Sequence, residues 1–408
     1  MKVKFGDLLY IKGRIGWQLL RKDEYLKQGD YCLVTGVDID SNHRINWNQC
    51  YYVSEERYNN DSKIQLAVND IIVTKDGTIG KIALIDKLDK PATLNSHLFL
   101  IRNIAPDIMD TKFLYYVLQS NLFQKYAANN TSGSNIPAFT QKNISEFEIN
   151  LPPLQEQKKI GYLLSMIESK IITNDRINAT LESMAKTLYD YWFIQFDFPD
   201  ENSKPYKTSG GKMVWNEELK REIPEGWEVK SIFECMDVLY GFPFDTQKFD
   251  DNIGNPVIRI RDILNNTSSA YTKQKIEDKY LTCKKDLLIG MDGNFHMNFW
   301  ANNSDYINQR IVRIRDKENV SVLQVYFEIL PYIKAKEKNV ARSTVGHLSD
   351  KDIKELRILN SNNAKIYNIF NAIIAEICNK KAENKELQSL RDFLLPLLMN
   401  GQVGFKEE

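Results

Sequence analysis

The sequence predicts an α+β protein: two β-rich mixed α/β domains, each followed by a long coiled-coil helix, arranged as an internal repeat. Three observations carry that expectation. Strand-like apolar runs recur in the same order, two heptad stretches share one polar break, and a Pro/Gly-rich segment separates the copies.

The chain has 408 residues, enough for two or three domains at ~100–200 residues each. With 43% hydrophobic and 26% charged residues it belongs with ordinary folded proteins, which excludes disordered and fibrous classes. Lys+Arg and Asp+Glu balance at 54 each, so any nucleic-acid contact must come from local basic faces. The opening MKVKFGDLLY lacks the basic-then-apolar layout of a signal peptide, and no apolar run approaches the ~18 residues of a membrane span. Five cysteines, scattered and odd in number, fit neither a disulfide framework nor a zinc knuckle, and point to a cytoplasmic protein.

The repeat is read from matched segments. Asp70–Gly77 (DIIVTKDG) answers Asp286–Gly293 (DLLIGMDG), each an apolar run closed by Asp-Gly. Leu94–Arg102 matches Ile307–Arg315, Asn143–Ile149 matches Asp352–Ile358, and VDI ending at Ile39 matches RDI ending at Ile263. In chain order the offsets fall steadily, 224, 216, 213, 209, so the second copy keeps the order with shorter loops. Helices are expected at Asp110–Ala127 and Leu323–Lys336. Arg313, alternating with apolar neighbours in Ile311–Ile314, is expected to face solvent, and Trp17 and Phe139 to anchor core or loop.

After each copy comes a heptad helix. Ile160, Leu164, Ile167 and Ile171, then Leu181, Ala185, Leu188 and Trp192, follow 3–4 spacing, broken at Asn174 and Asn178. A shift of 206 gives Ile366, Phe370, Ile373 and Ile377, then Leu387, Leu394 and Leu398, with Lys380 and Asn384 in the same gap. A buried polar layer of this kind sets helix register at some loss of stability. Between Phe196 and Pro224, Pro199, Pro205, Gly210 and Gly211 break helix and strand, so the stretch reads as a connector. The expected organisation is a domain over 1–152, a helix over 153–195, a linker over 196–225, a domain over 226–361 and a helix over 362–400.

Catalytic patterns do not stand out. The four histidines share no metal-ligand spacing, and DGTIGK (Asp76–Lys81) lacks the glycine spacing and Ser/Thr of a phosphate loop. In LPPL (Leu151–Leu154) leucines stand where an amino-methyltransferase needs a polar group and an aromatic. From its residues the chain reads as a binding protein, with no catalytic residue and no metal site assigned.

LPPLQEQKKIGYLLSMIESKI (Leu151–Ile171), after a β-rich domain and opening a heptad helix, resembles the boundary motif of type I restriction-modification specificity subunits. LLPLLMNGQV (Leu394–Val403), IPEGWEV (Ile223–Val229), FDFP (Phe196–Pro199) and KGRIGWQ (Lys12–Gln18) with DIIVTKDGTIGK (Asp70–Lys81) resemble further parts of that family. The second copy departs from the boundary motif, reading LNSNNAKIYNI (Leu359–Ile369). The resemblance implies a non-catalytic subunit with two target-recognition domains separated by antiparallel spacer helices about a pseudo-two-fold axis. Each domain reads one half-site of a bipartite double-stranded DNA target. Two modification subunits, each with S-adenosylmethionine, methylate adenine N6. Two restriction subunits use ATP and Mg to translocate and cut. No cofactor and no membrane is expected for this chain.

The helices are charge-balanced, with five basic and five acidic residues over Leu151–Phe193, which suits spacers better than DNA tracks. Asn178 is expected close to Asn384 or Lys380. DNA contacts are expected in the turns of the domains: Lys12, Arg14, Lys75, Thr78, Lys81, Ser132, Ser134, Asn135, Gln141 and Lys142 in the first. In the second they are Arg259, Arg261, Asn294, His296, Arg310, Arg342, Ser343, Thr344 and His347. Arg suits bidentate contact with guanine and Asn or Gln with adenine, whereas Lys and Ser/Thr position on phosphates. Two rival readings remain, a solitary nuclease or methyltransferase and a coiled-coil adaptor that binds only protein.

Overall fold

The computed structural model describes residues 1–14, 20–40, 42–76, 79–130, 139–317, 319–340 and 346–405. Trp17, Thr78, Ser132, Ser134, Asn135, Arg342, Ser343 and Thr344 lie outside the described residues. The chain divides into two units, Met1–Ser169 with Leu387–Glu408, and Lys170–Glu386.

In the first unit, Leu9–Gly13, Leu98–Asn103, Ile71–Thr74 and Ile82–Leu84 form a sheet in that order, every pair antiparallel. The second unit repeats it with Met236–Tyr240, Ile311–Asp316, Leu287–Gly290 and Met297–Phe299. Each unit adds a smaller sheet containing one parallel pair, Tyr31–Val34 with Ala92–Leu94 in the first and Asn255–Ile258 with Tyr306–Ile307 in the second. Each also has an edge pair, Lys2–Lys4 with Glu148–Asn150 and Glu228–Ser231 with Arg357–Asn360.

The repeat extends to side-chain chemistry. Asp70, 1% exposed, receives Arg102 Nε and Nη2 at 2.7 Å each, and Nη2 also reaches the Gln65 carbonyl at 3.1 Å. Asp286, also 1% exposed, receives Arg315 in the same way, with Nη2 on the Leu281 carbonyl at 3.1 Å. Two charge-assisted bonds in a fixed fork bind strand to turn where a single lysine would not.

Arg313 corrects an expectation. The strand Ile311–Asp316 pairs on both sides and is covered on both faces, so alternation does not mark a wet face. Arg313 is 2% exposed, with Nη1 on the Lys279 carbonyl at 2.8 Å and Nη2 on the Asp237 carboxylate. Phe139 is buried as expected. The helix expected at Asp110–Ala127 is two, Thr111–Gln119 and Asn121–Asn129, because Ser120 is extended at ψ 151°. The other runs Val322–Val340.

The segment expected as a connector folds. Phe198 stacks between Tyr206 at 4.8 Å and Trp227 at 5.0 Å, and Met213–Asn216 pairs with Arg221–Pro224 as a hairpin. Aromatic burial of this size supplies what the prolines and glycines deny to regular structure.

The long helices are Leu154–Tyr189 and Ala364–Met399, 36 residues each and therefore roughly 54 Å long. In the second unit the Phe193 and Phe370 rings lie 6.2 Å apart and Asn174 bonds Asn384, so the helices run antiparallel. In the first unit Ile160 and Leu164 share a core with Leu398. The polar layer between the helices is built on Asn174. Asn174 donates to Asn384 Oδ1 at 2.8 Å, while Lys380 pairs with Glu383 at 3.2 Å and Glu376 at 3.5 Å. Acidic neighbours hold the lysine and the amides alike, Glu383 Oε2 accepting from Asn174 at 3.1 Å and Asp175 Oδ1 from Asn384 at 2.8 Å. Asn178 itself is 8% exposed.

Gln157, from the Pro-Pro-Leu-x-Glu-Gln motif, is 1% exposed. It accepts from Asp110 N at 3.0 Å and donates to the carbonyls of Ile108 at 2.9 Å and Pro152 at 3.0 Å. The motif therefore fastens the helix start to its domain. In the second copy, Gln324 on the Leu359 carbonyl at 2.6 Å and Glu328 under Leu359 N at 2.9 Å do comparable fastening from the domain side.

Candidate nucleic-acid interface

In the second unit the strand Leu287–Gly290 runs into Met291, Asp292 and Gly293, where Gly293 takes φ +72°, the left-handed region that glycine favours. A Cβ on Gly290 would stand 2.8 Å from Ile260 Cγ2, so only glycine lets the strand meet the turn Ile260–Asp262 this closely. The result is one open concave surface lined by Arg259, Arg261, Asn294, His296 and Arg310, with Asp292 and Asn308. Five sequence-predicted residues are thus brought together. His347 reaches the same surface through Asp292, with Nδ1 2.7 Å from Oδ1.

A buried carboxylate and an exposed hydroxyl beside the surface hold Arg259 and Arg261. Asp262, 3% exposed, accepts from Arg259 N at 2.9 Å, and Ser269 Oγ receives Arg259 Nη2 at 2.6 Å and Arg261 Nε at 3.3 Å. Arg261 and Arg310 remain exposed. Convergent guanidinium, amide and imidazole groups on a concave face suit phosphate and base edges of a duplex.

The first unit distributes its candidates differently. Arg14 is corrected: it is 4% exposed, with Nε on the Leu94 carbonyl at 3.0 Å and Nη2 on Thr93 Oγ1 at 3.3 Å. Burial pulls its pKa down, and its donors serve the sheet rather than a ligand. Lys81 Nζ donates to the Ile39 carbonyl at 3.1 Å. Lys12 lies 5.8 Å from the Tyr10 ring and Lys75 5.1 Å from the Phe99 ring, the latter lowered in pKa by burial. Gln141 and Lys142 are exposed at the start of the helix Gln141–Glu146, Lys142 being 3.6 Å from Glu146. Sequence reasoning missed Asp292 and Asn308, and in the first domain Asp76, whose carboxylate holds His97 Nδ1 at 2.7 Å. The duplicated Asp-Gly was the available signal for both aspartates.

The family described as "Type I restriction modification DNA specificity domain" matches residues 1–183 and 224–389. The chain belongs to that family. It is similar to the type I restriction enzyme MjaIX specificity subunit of Methanocaldococcus jannaschii, 25% identical over 352 residues, covering 83% of this chain and 78% of that protein. It is also similar to the HindI specificity subunit of Haemophilus influenzae, 23% identical over 372 residues, covering 75% of this chain and 80% of that one. A crystal structure of the type-I restriction-modification system S subunit from M. genitalium shares the fold at TM-score 0.58 and 17% identity, covering 100% of this chain and 96% of that one. The specificity-subunit fold, two β-rich mixed domains with long antiparallel helices, is the one the sequence predicts. Among the described residues no helix is long and apolar enough to cross a membrane.

Proposed function

We propose that this chain is the non-catalytic DNA-reading subunit of a type I restriction-modification assembly, its two recognition domains reading the halves of a bipartite target across an unspecified spacer. In this reading two modification subunits carrying S-adenosylmethionine dock on the helices and methylate adenine N6, one per half-site. Two restriction subunits supply ATP- and Mg-dependent translocation and cleavage. The chain takes no cofactor of its own and works in the cytoplasm. Domain limits near 1–152 and 226–361, with Lys12, Lys75, Thr78 and the 129–142 loop on the first half-site, belong to the same proposal. The supporting observation is the concave surface on which Arg259, Arg261, Asn294, His296 and Arg310 converge.

The test is co-expression with the neighbouring modification subunit and genome-wide mapping of N6-methyladenine. A gapped two-part motif is expected, and an ungapped palindrome or no methylation defeats the reading. Retention on duplex DNA whose log affinity falls linearly with log salt is expected alongside. A protein-only adaptor shows no retention at any salt.

A further inference from the structure

In each domain an aspartate in the same turn holds a nitrogen-bearing side chain at the head of the same strand. Lys75 N donates to the His97 carbonyl at 3.0 Å and Phe139 N to the Lys75 carbonyl at 2.8 Å. In the second domain Met291 N donates to the Arg310 carbonyl at 2.9 Å and Leu348 N to the Met291 carbonyl at 2.7 Å. These matched bonds set Asp76 in the place of Asp292, and His97 in the place of Arg310. The side chains repeat the match: His97 Nδ1 is 2.7 Å from Asp76 Oδ1, and Arg310 Nε is 3.3 Å from Asp292 Oδ2.

A carboxylate on a surface meant for phosphates is repelled by them, so it should be absent unless it holds something. Asp292 is the sole acidic side chain among the described residues lining the concave surface, and both its oxygens are engaged, Oδ2 by Arg310 and Oδ1 by His347. The ion pair at Nε holds the guanidinium, which is 55% exposed, beside the carboxylate, and its two terminal nitrogens can then act as a parallel pair. That pair matches guanine O6 and N7 in the major groove. On His97, 59% exposed, the grip on Nδ1 leaves Nε2 as a single point of contact.

We infer that Asp76 and Asp292 are positioning residues, and that His97 and Arg310 are equivalent base-contacting residues of the two domains. His97 meets a base edge at one point, and Arg310 grips guanine with two parallel hydrogen bonds. This deepens the DNA-reading function proposed above and rests on it.

The experiment uses the full complex with its modification subunits and reads the methylated motif. The wild-type complex must first yield a gapped motif; its absence defeats the proposed function and this inference with it. Given that motif, Arg310→Ala and Asp292→Asn should each reduce discrimination at a guanine in one half by on the order of tenfold to a hundredfold, leaving the other half intact. His97→Ala and Asp76→Asn should relax only the other half. Asp292→Asn in the Arg310→Ala background should add no further loss of discrimination, the signature of acting through Arg310. Arg310→Lys, which keeps the charge and loses the planar fork, should retain affinity and lose guanine selectivity. Uniform weakening with an unchanged motif would mean a phosphate contact and overturn the inference. So would a silent Asp292→Asn beside a damaging Arg310→Ala, or damage to both halves by one substitution.

Discussion

Asn174 donates its side-chain amide to Asn384 Oδ1 at 2.8 Å, and Asn384 in turn donates to Asp175 Oδ1 at 2.8 Å, across the antiparallel helices of the second unit. Asn174 is fully buried and Asn384 is 8% exposed, so this is a polar layer inside an otherwise apolar seam. Such layers trade stability for a defined register, since a slipped alignment strands the amides among leucines and isoleucines.

Removing one member should hurt more than replacing both. Asn384→Ala removes one of the two acceptors of the Asn174 amide, leaving Glu383 Oε2 at 3.1 Å, and should destabilise by about 0.5–1.5 kcal/mol in equilibrium urea unfolding. The double change Asn174→Leu with Asn384→Leu should recover most of that loss or exceed wild type. A single substitution milder than the double would contradict the layer's role.

The buried forks make a stronger prediction. Arg315→Ala leaves Asp286, 1% exposed, without its counter-charge and should destabilise the second unit by roughly 3–5 kcal/mol. Arg102→Ala should act likewise on Asp70 in the first unit. Lysine at either position should rescue only in part, because it cannot give two parallel bonds. Denaturant midpoints for the four variants check the order.

Glu328 should make stability depend on pH near neutrality. Burial pushes its carboxyl up to about 7, against the pull of the Leu359 N–H and the Gln324 amide. Because the folded state holds the proton more tightly than the unfolded chain, whose glutamates titrate near ~4.3, the contribution is full below that value. It is lost as pH climbs through about 7. Glu328→Gln should therefore match wild type at pH 4 and be more stable at pH 8, by about 1–3 kcal/mol. Thermal midpoints across that range test it, and a difference that does not change with pH would refute it.

Arg14 and Arg261 should fail in different ways. Arg14→Ala removes the bonds to Leu94 and Thr93 and should lower the melting temperature of the first unit. It should leave the salt dependence of DNA binding unchanged. Arg261→Ala, on the exposed rim of the concave surface, should leave melting nearly unchanged and reduce the log–log salt slope by about 1 if it meets a phosphate.

Much of this protein was legible in one dimension because its duplication was. Asp70 and Asp286, Asn143 and Asp352, and the heptads around Ile160 and Ile366 recur at related offsets, and matched segments fold alike. The Pro-Pro-Leu-x-Glu-Gln motif marks a boundary because Gln157 is needed by three main-chain partners there. Residue type and spacing also singled out five of the second domain's candidates, Arg259, Arg261, Asn294, His296 and Arg310, that meet on one surface.

What the sequence by itself determined was the repeat, the helical period and the composition of each turn, since these follow from local spacing and side-chain chemistry. Tertiary structure alone decided which cations stay inside. Arg14 read as a DNA contact in a turn and Arg313 as solvent-facing, yet strands and turns distant in sequence cover them and offer carbonyls and a carboxylate. It also decided that Asp292 holds Arg310 and that Asn174 meets Asn384. Burial and pairing are properties of what packs against a residue, and that partner comes from elsewhere in the chain.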